Sequence, residues 1–466
     1  WVKNDAISGD ISKMLDSDKP NVVYILTDQW RAKATGYNGD PNANTPHIDQ
    51  LAKESVDFAN AIGTSPVCTP ARACLLTGCF PTTTGMFMND VPLSPNAESI
   101  GKAFKAGGYD TGYIGKWHVD GHGRSAFIPP ERRQGFAYWK VLECTHDYQH
   151  SRYYDNDDTD IKTWPGYDAF AQTQDAIEYI SAHRDHPFFL VLSLGPPHFP
   201  HDNAPAEFQA NIRPESVVFS PNVRFDSAEE EAFTRKEAAG YYAHIAALDT
   251  CVGAMTNALA ELGLEENTIL VFASDHGEMM GSHSKRPYMK QVFWDESCRV
   301  PYLLRYPPLT AHCANRKRMT PLGTVDIMPT LLSLCGLKIP KAVEGKDLSA
   351  CVRNGVEIEE HAALYMSVAP FSGKNFLESA YRAVRTQRHT FVQTVDDQFY
   401  LFDDVADPYQ LHNLAYDPDA AEIRSRLEAE LAERLKKIDD PFREKAYYLE
   451  KWGYETGRYG DVPYAQ

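Results

Sequence analysis

Short apolar runs alternate with stretches of helical hydrophobic spacing through the first three quarters of the chain. Buried strands are predicted at NVVYILTD (21–28), DTGYIGK (110–116), HPFFLVLSLG (186–195), NTILVFASDHG (267–277) and VPYLLRYP (300–307), since continuous apolar runs fit strands covered on both faces. Helices are predicted over 45–55, 98–108, 166–184, about 229–262 and 324–337, the last closing at Gly336. This alternation predicts an α/β fold, a large mostly parallel sheet sandwiched by helices.

After about residue 358 the pattern changes. AALYMSVA, SAYRAVRTQRHTFVQT and QFYLFD read as shorter alternating strands, followed by a charged helix from Ala420 to about Lys437. The expected division is an α/β domain over 1–357 and a smaller C-terminal α+β domain over 358–466, with an antiparallel sheet, a helix and a tail. The tyrosine-rich tail from Asp439 is expected to lie back on the body.

A chain of 466 residues, 43% of them hydrophobic, can bury a large core. Its net charge of −18 argues against nucleic acid or anionic membrane as partners, so an anionic substrate must meet a local cationic pocket. No window approaches the run of about 20 apolar residues a membrane span needs. The chain opens on Trp1 and a polar segment rather than a signal peptide. A periplasmic or secreted location, with a signal already removed, is expected, and a cytoplasmic one is the alternative. The nine cysteines lack zinc-ribbon spacing. Most are expected to be free, with a bridge or two among Cys74, Cys79, Cys144, Cys251, Cys298, Cys313, Cys335 and Cys351.

In open parallel sheets, ligands sit beyond the carboxyl ends of the strands. Asp28-Gln29 and Asp275-His276 end two predicted strands, and together they make an oxygen-rich site for a divalent cation. Taken singly, each aspartate reads equally as a cap of the following turn. Lys116 and His118 in GKWH, His198 and His201 in GPPHFPH, and Lys290 in RPYMKQVFW recur at the same edge. A lone histidine there fits a core hydrogen bond and a lone lysine a solvated surface, but their convergence would build the cationic pocket.

The stretch SPVCTPARACLLTG (65–78) sets Pro70 in a first helical turn, with Cys68 at or just before the helix N-terminus. That position stabilises an anion, so Cys68 is a nucleophile or the precursor of one. Arg72 follows one turn later on the same face.

CTPARACLLTG resembles the signature of the type I, formylglycine-dependent sulfatases of the alkaline phosphatase superfamily, Cys-x-Pro-x-Arg with a later Thr-Gly. It is accompanied, in order, by TDQWR, GKWH, PPHFPH, SDHGEMMGSH and a lysine ahead of ESCRVPYLLRYP. VDIMPTLLSLCGL and LFDDVADPYQLHNLA extend the likeness, which runs from about residue 19 to 438. The resemblance implies an alkaline phosphatase-like fold. It implies that a formylglycine-generating enzyme oxidises Cys68 before folding, and that one hydroxyl of the hydrated aldehyde attacks sulfur while the second expels sulfate. Asp28, Gln29, Asp275 and His276 would hold the metal, Arg72, Lys116 and Lys290 would neutralise sulfate oxygens, His118 would orient or deprotonate the diol, and His198 would act as general acid.

Two departures stand out. Many members carry a second aspartate where this chain has Gln29, and an asparagine where it has His276. Calcium is the expected ion and manganese the alternative, because the set has fewer anionic oxygens and one nitrogen. The same pair occurs in branches similar to phosphonate monoester hydrolases and choline sulfatases. The segment FAYWKVLECTHDYQHSRYYDNDDTDIKTWPGY mixes aromatic and polar groups, as a sugar-stacking loop would, although the rings serve equally to anchor a loop on the body. His201, His283 and Arg286 are candidates for substrate contact. The expected function is removal of sulfate from a sulfated saccharide. The alternatives are hydrolysis of phosphonate or phosphate esters and a non-catalytic glycan-binding role.

Overall fold

In the computed structural model, which describes residues 19–311, 316–373, 376–377, 379–457 and 462–465, a ten-stranded sheet forms the centre of the molecule. In chain order the strands of this region are β1 (Asn21–Asp28), β2 (Val56–Phe58), β3 (Ala61–Ile62), β4 (Asp110–Lys116), β5 (Tyr138–Leu142), β6 (Arg152–Asp155), β7 (Lys162–Thr163), β8 (Phe188–Pro197), β9 (Thr268–Ser274), β10 (Tyr302–Arg305), β11 (Arg316–Arg318) and β12 (Leu322–Gly323). The sheet order is β11-β2-β10-β9-β1-β8-β4-β5-β6-β7, with β3 and β12 paired separately. The five central strands, β9 to β5, run parallel. The predicted strand over 300–307 does form, as β10, but antiparallel to β9.

Alternation along β1 explains why the sheet needs helices on both faces. Val22, Tyr24 and Leu26 enter one core, shared with the helices Cys68–Thr77 and Thr324–Leu334. Val23 and Ile25 enter a second core, shared with the helices Asp168–Ala182 and Ala228–Glu261. Gly115 lets the inner strands close up: its φ is +102°, and a Cβ there would lie 2.1 Å from the Ser193 carbonyl oxygen of β8.

The C-terminal strands are β13 (Ala363–Ser367), β14 (Ser372–Gly373), β15 (Phe376–Leu377), β16 (Tyr381–Arg385), β17 (His389–Thr394) and β18 (Phe399–Asp403). Four of them make an antiparallel sheet ordered β13-β16-β17-β18, covered by the helix Ala421–Lys437 through Leu427, Leu431 and Leu435. The stretch expected as one strand over 379–394 is a hairpin, because Thr386 bonds back to His389 and turns the chain. The tail does lie on the body. Arg382 is fully buried between Asp440 and the Tyr448 hydroxyl, Trp452 covers Gly85, and the Ala465 amide donates to the Gly121 carbonyl.

Two expectations are corrected. The aromatic segment after Phe136 is not a free loop, since Tyr138–Leu142 is a strand of the main sheet with Trp139 and Val141 in the core. Tyr148, Trp164 and Tyr167 are buried as well, and Tyr153 stacks on Trp164. These buried rings anchor the segment on the body, while Tyr138, Tyr153 and Tyr154 stay half-buried. No disulfide forms among the described cysteines: Cys74, Cys79, Cys144, Cys251, Cys298, Cys335 and Cys351 are free buried thiols, as is Cys68. Cys313 lies outside the described residues.

Candidate active site

The carboxyl ends of the parallel strands converge, and each delivers a side chain. Asp28 closes β1, Lys116 closes β4, His198 follows β8, and Asp275-His276 follows β9. Their sequence positions are far apart, but neighbouring parallel strands end side by side. Asp28 Oδ2 lies 2.6 Å from Lys116 Nζ, and Asp28 Oδ1 lies 3.4 Å from His276 Nε2.

Cys68 enters this cluster as the first residue of a ten-residue helix in which every residue is buried. Val67 supplies no side-chain cap, but Asn89 accepts from the Thr69 amide at 3.0 Å in its stead. Thr69 Oγ1 in turn donates to the His118 carbonyl, tying the helix start to the GKWH segment. Cys68 Sγ lies 3.3 Å from His276 Nε2, 3.6 Å from Asp28 Oδ1, 3.6 Å from Lys290 Nζ and 3.8 Å from Lys116 Nζ. Arg72, one turn on, directs its donors to Asp275, Asp28, the Lys116 carbonyl and Ser193 Oγ. It clamps the two aspartates together.

The electrostatics follow from this packing. Burial opposes a thiolate at Cys68, yet Lys116, Lys290 and His276 outweigh it and hold the thiol well below its ordinary pKa. Burial and Cys68 act to protonate Asp28, but Lys116 and Arg72 hold its carboxyl well below the usual range. Asp275 shifts upward, through burial and the charge of Asp28. His198 is held well below its usual pKa by burial and by Lys290, whose Nζ donates to His198 Nε2 at 2.9 Å. The ring is therefore neutral, with Nδ1 donating to the Phe199 carbonyl at 2.8 Å.

A family model described as Sulfatase matches residues 20–337, and one described as N-sulphoglucosamine sulphohydrolase, C-terminal, matches residues 282–437. The chain belongs to the sulfatase family. An ulvan-active sulfatase of Formosa agariphila is 49% identical to it, over 94% of this chain and 86% of that protein. An endo-4-O-sulfatase of Bacteroides thetaiotaomicron is 31% identical, over 93% and 94%. The solved structure of a Bacteroides fragilis protein assigned as sulfatase yidJ, 31% identical, superposes with a TM-score of 0.81 over 92% of this chain and 98% of that one. The fold is accordingly the alkaline phosphatase-like one of the sulfatases.

Within this sulfatase, Cys68, Arg72, Lys116, His198, Lys290, Asp28, Gln29, Asp275 and His276 all meet in one cluster. His118 joins it from the loop after β4, its ring bearing on the Cys68 and Cys144 thiols. His201, His283 and Arg286 make their contacts elsewhere. His201 is buried against Glu237 and Tyr241, His283 stacks on Trp294 and meets Asn222, and Arg286 is exposed.

Several residues escape sequence reading. Asp90 Oδ1 lies 3.2 Å from His118 Nε2, and Arg124 grips the same carboxylate. Ser193 holds Arg72, and His146 stacks on His198 with ring centroids 4.6 Å apart. Cys144 is a second buried thiol of depressed pKa, because His118 and Lys116 outweigh its burial. Glu278 contacts the Gln29 amide. Only Glu278 carried a signal, as the next charged residue of the DHGE element.

Proposed function

We propose that this enzyme removes sulfate from a sulfated polysaccharide, using formylglycine made from Cys68 and a bound divalent cation. The carrying observation is the position of Cys68 Sγ, at a helix N-terminus within 3.8 Å of two lysine ammonium groups and beside a His/Asp cluster. Its relatives act, by their names, on ulvan and as an endo-4-O-sulfatase, so a polymeric sulfated glycan is the substrate class they favour.

The residues fit a cation. Ligand atoms of Asp28, Cys68, Asp275 and His276 lie within 4.8 Å of one another, and the Gln29 amide oxygen adjoins them through Lys290. Two carboxylates, an amide oxygen and one imidazole suit calcium, with manganese as the alternative. When bound, the cation supplies Lewis acidity, and the hydrated formylglycine supplies the nucleophile.

The chain's own residues supply the rest. Lys116 and Lys290 offer positive charge to the sulfate oxygens, while Arg72 keeps Asp28 and Asp275 in register. His118, held by Asp90, orients the attacking hydroxyl or takes its proton. Lys290 and His198 together deliver a proton to the departing alcohol oxygen. Burial of the whole cluster excludes bulk water and strengthens each of these interactions.

Among the described residues no helix is long and apolar enough to cross a membrane. Because a polymer does not cross membranes unaided, we assign the enzyme to the periplasm or the exterior.

The test uses protein produced with a formylglycine-generating enzyme. The tryptic peptide 54–72 should carry an aldehyde or its hydrate at position 68, and the protein should release sulfate from ulvan or a sulfated glycosaminoglycan. Cys68→Ala should release none. A converted peptide without release from any sulfated glycan would overturn the substrate class, and release by Cys68→Ala would overturn the nucleophile.

A further inference from the structure

Gln29 is held at four points. Its φ is +66°, a left-handed conformation uncommon for a side chain of this size. Its amide N–H donates to Asp275 Oδ1 at 3.1 Å, and its carbonyl accepts from the Tyr241 hydroxyl at 3.1 Å. The side-chain oxygen Oε1 accepts from Lys290 Nζ at 2.8 Å, and the side-chain nitrogen Nε2 donates to Glu278 Oε2.

Glu278 is itself fully buried, two residues past His276. Its other oxygen, Oε1, accepts from the backbone amides of Met280 and Tyr288, each at 2.9 Å. One carboxylate thus joins the end of β1, the turn after β9 and the segment that carries Lys290.

An amide can turn over and exchange its oxygen for its nitrogen at little steric cost. A carboxylate only accepts and an ammonium only donates, so Glu278 and Lys290 permit one orientation of Gln29. The reverse would set oxygen against carboxylate and NH₂ against ammonium, in a site where unpaired polar groups are costly.

We propose that Glu278 is a positioning residue for the cation site: it fixes the Gln29 amide so that its oxygen faces the cation and Lys290. This rests on the reading that Gln29 is a cation ligand. Glu278 touches neither substrate nor cation and acts through Gln29, as outer partners of metal ligands commonly do.

The experiment is calorimetric titration of the purified full chain with Ca²⁺, and separately with Mn²⁺, with thermal unfolding as a check on folding. In Glu278→Gln the oxygen of residue 278 stays on the Met280 and Tyr288 amides and its NH₂ meets that of Gln29, which opposes the orientation Lys290 requires, so the dissociation constant should rise about 10–100-fold. Adding Gln29→Glu to Glu278→Gln should recover tight binding, because the carboxylate at position 29 presents oxygen in either orientation while the amide at 278 donates to it. A role for Glu278 in packing alone would not be rescued by a change at position 29. Binding by Glu278→Gln equal to wild type, or a loss that the double variant leaves unrecovered, overturns the proposal. Should Glu278→Gln not fold, the double variant decides alone: tight binding supports the proposal and weak binding overturns it. Gln29→Ala separates the two layers. If it binds as wild type does, the ligand reading falls and the proposal with it; if it weakens while Glu278→Gln does not, only the role of Glu278 falls.

Discussion

Asp90 meets His118 through Nε2 at 3.2 Å, which leaves Nδ1 as the nitrogen available to residue 68. That Nδ1 is buried and has no hydrogen-bond partner among the nitrogens and oxygens of the described residues. In the proposed mechanism this pairing sets which side of the ring meets the attacking hydroxyl. Asp90→Asn should keep the fold and lower kcat by about 100-fold or more, with KM little changed, since a positioned acid–base group contributes roughly 10²–10⁴. Steady-state kinetics on a sulfated oligosaccharide check this, and an unchanged kcat would remove His118 from proton transfer.

Chelation should abolish turnover, and Ca²⁺ or Mn²⁺ should restore it. Cation binding should also stabilise the fold, by about 2.7 kcal/mol at a concentration 100 times the dissociation constant. Asp28→Ala should lose that stabilisation, because its carboxylate sits between Lys116, Arg72 and His276. Thermal unfolding with and without the ion gives the answer independently of activity.

Gly115→Ala should destabilise by at least about 2 kcal/mol, combining a strained backbone with an overpacked contact. The added methyl would sit 2.1 Å from the Ser193 carbonyl and force β4 from β8 just before Lys116. Urea unfolding should show the loss of stability, and residual activity should fall with it as Lys116 leaves Asp28.

Asp168, buried at the start of its helix, has its pKa raised to about 8 by desolvation, against an ordinary value of 3.8. Between these values the folded chain holds a proton that the unfolded chain releases, so this group's contribution to stability falls as pH rises from about 4 to 8. Asp168→Asn removes the ionisation. The difference in unfolding free energy between wild type and variant should therefore shift in the variant's favour across that range, as denaturant titrations at several pH values will show.

The candidate cluster is legible because its members stand beside apolar runs. Asp28 and Asp275 terminate strands whose alternation is plain, and Cys68 is followed by a recognisable helix. Asp90, Ser193 and Cys144 carry no such marker, since their roles arise only from contacts made after folding. The link from Gln29 to Glu278 spans 249 positions. β5 was missed because Lys140 and the surrounding aromatics break the apolar run, although Trp139 and Val141 face the core. His283 stands seven residues before Lys290, yet its ring stacks on Trp294.

Cys68 has 1% of its surface exposed in the finished fold, and the helix it opens is buried throughout. An enzyme that alters this thiol must reach it earlier. His276, the neighbour that closes over it, comes 208 positions later in the chain. At a synthesis rate of about 5–20 residues per second, that separation is an interval on the order of 10–40 seconds. The proposed maturation of Cys68 is thus a race against the arrival of β9, and on that reading a clock sets the converted fraction of a preparation.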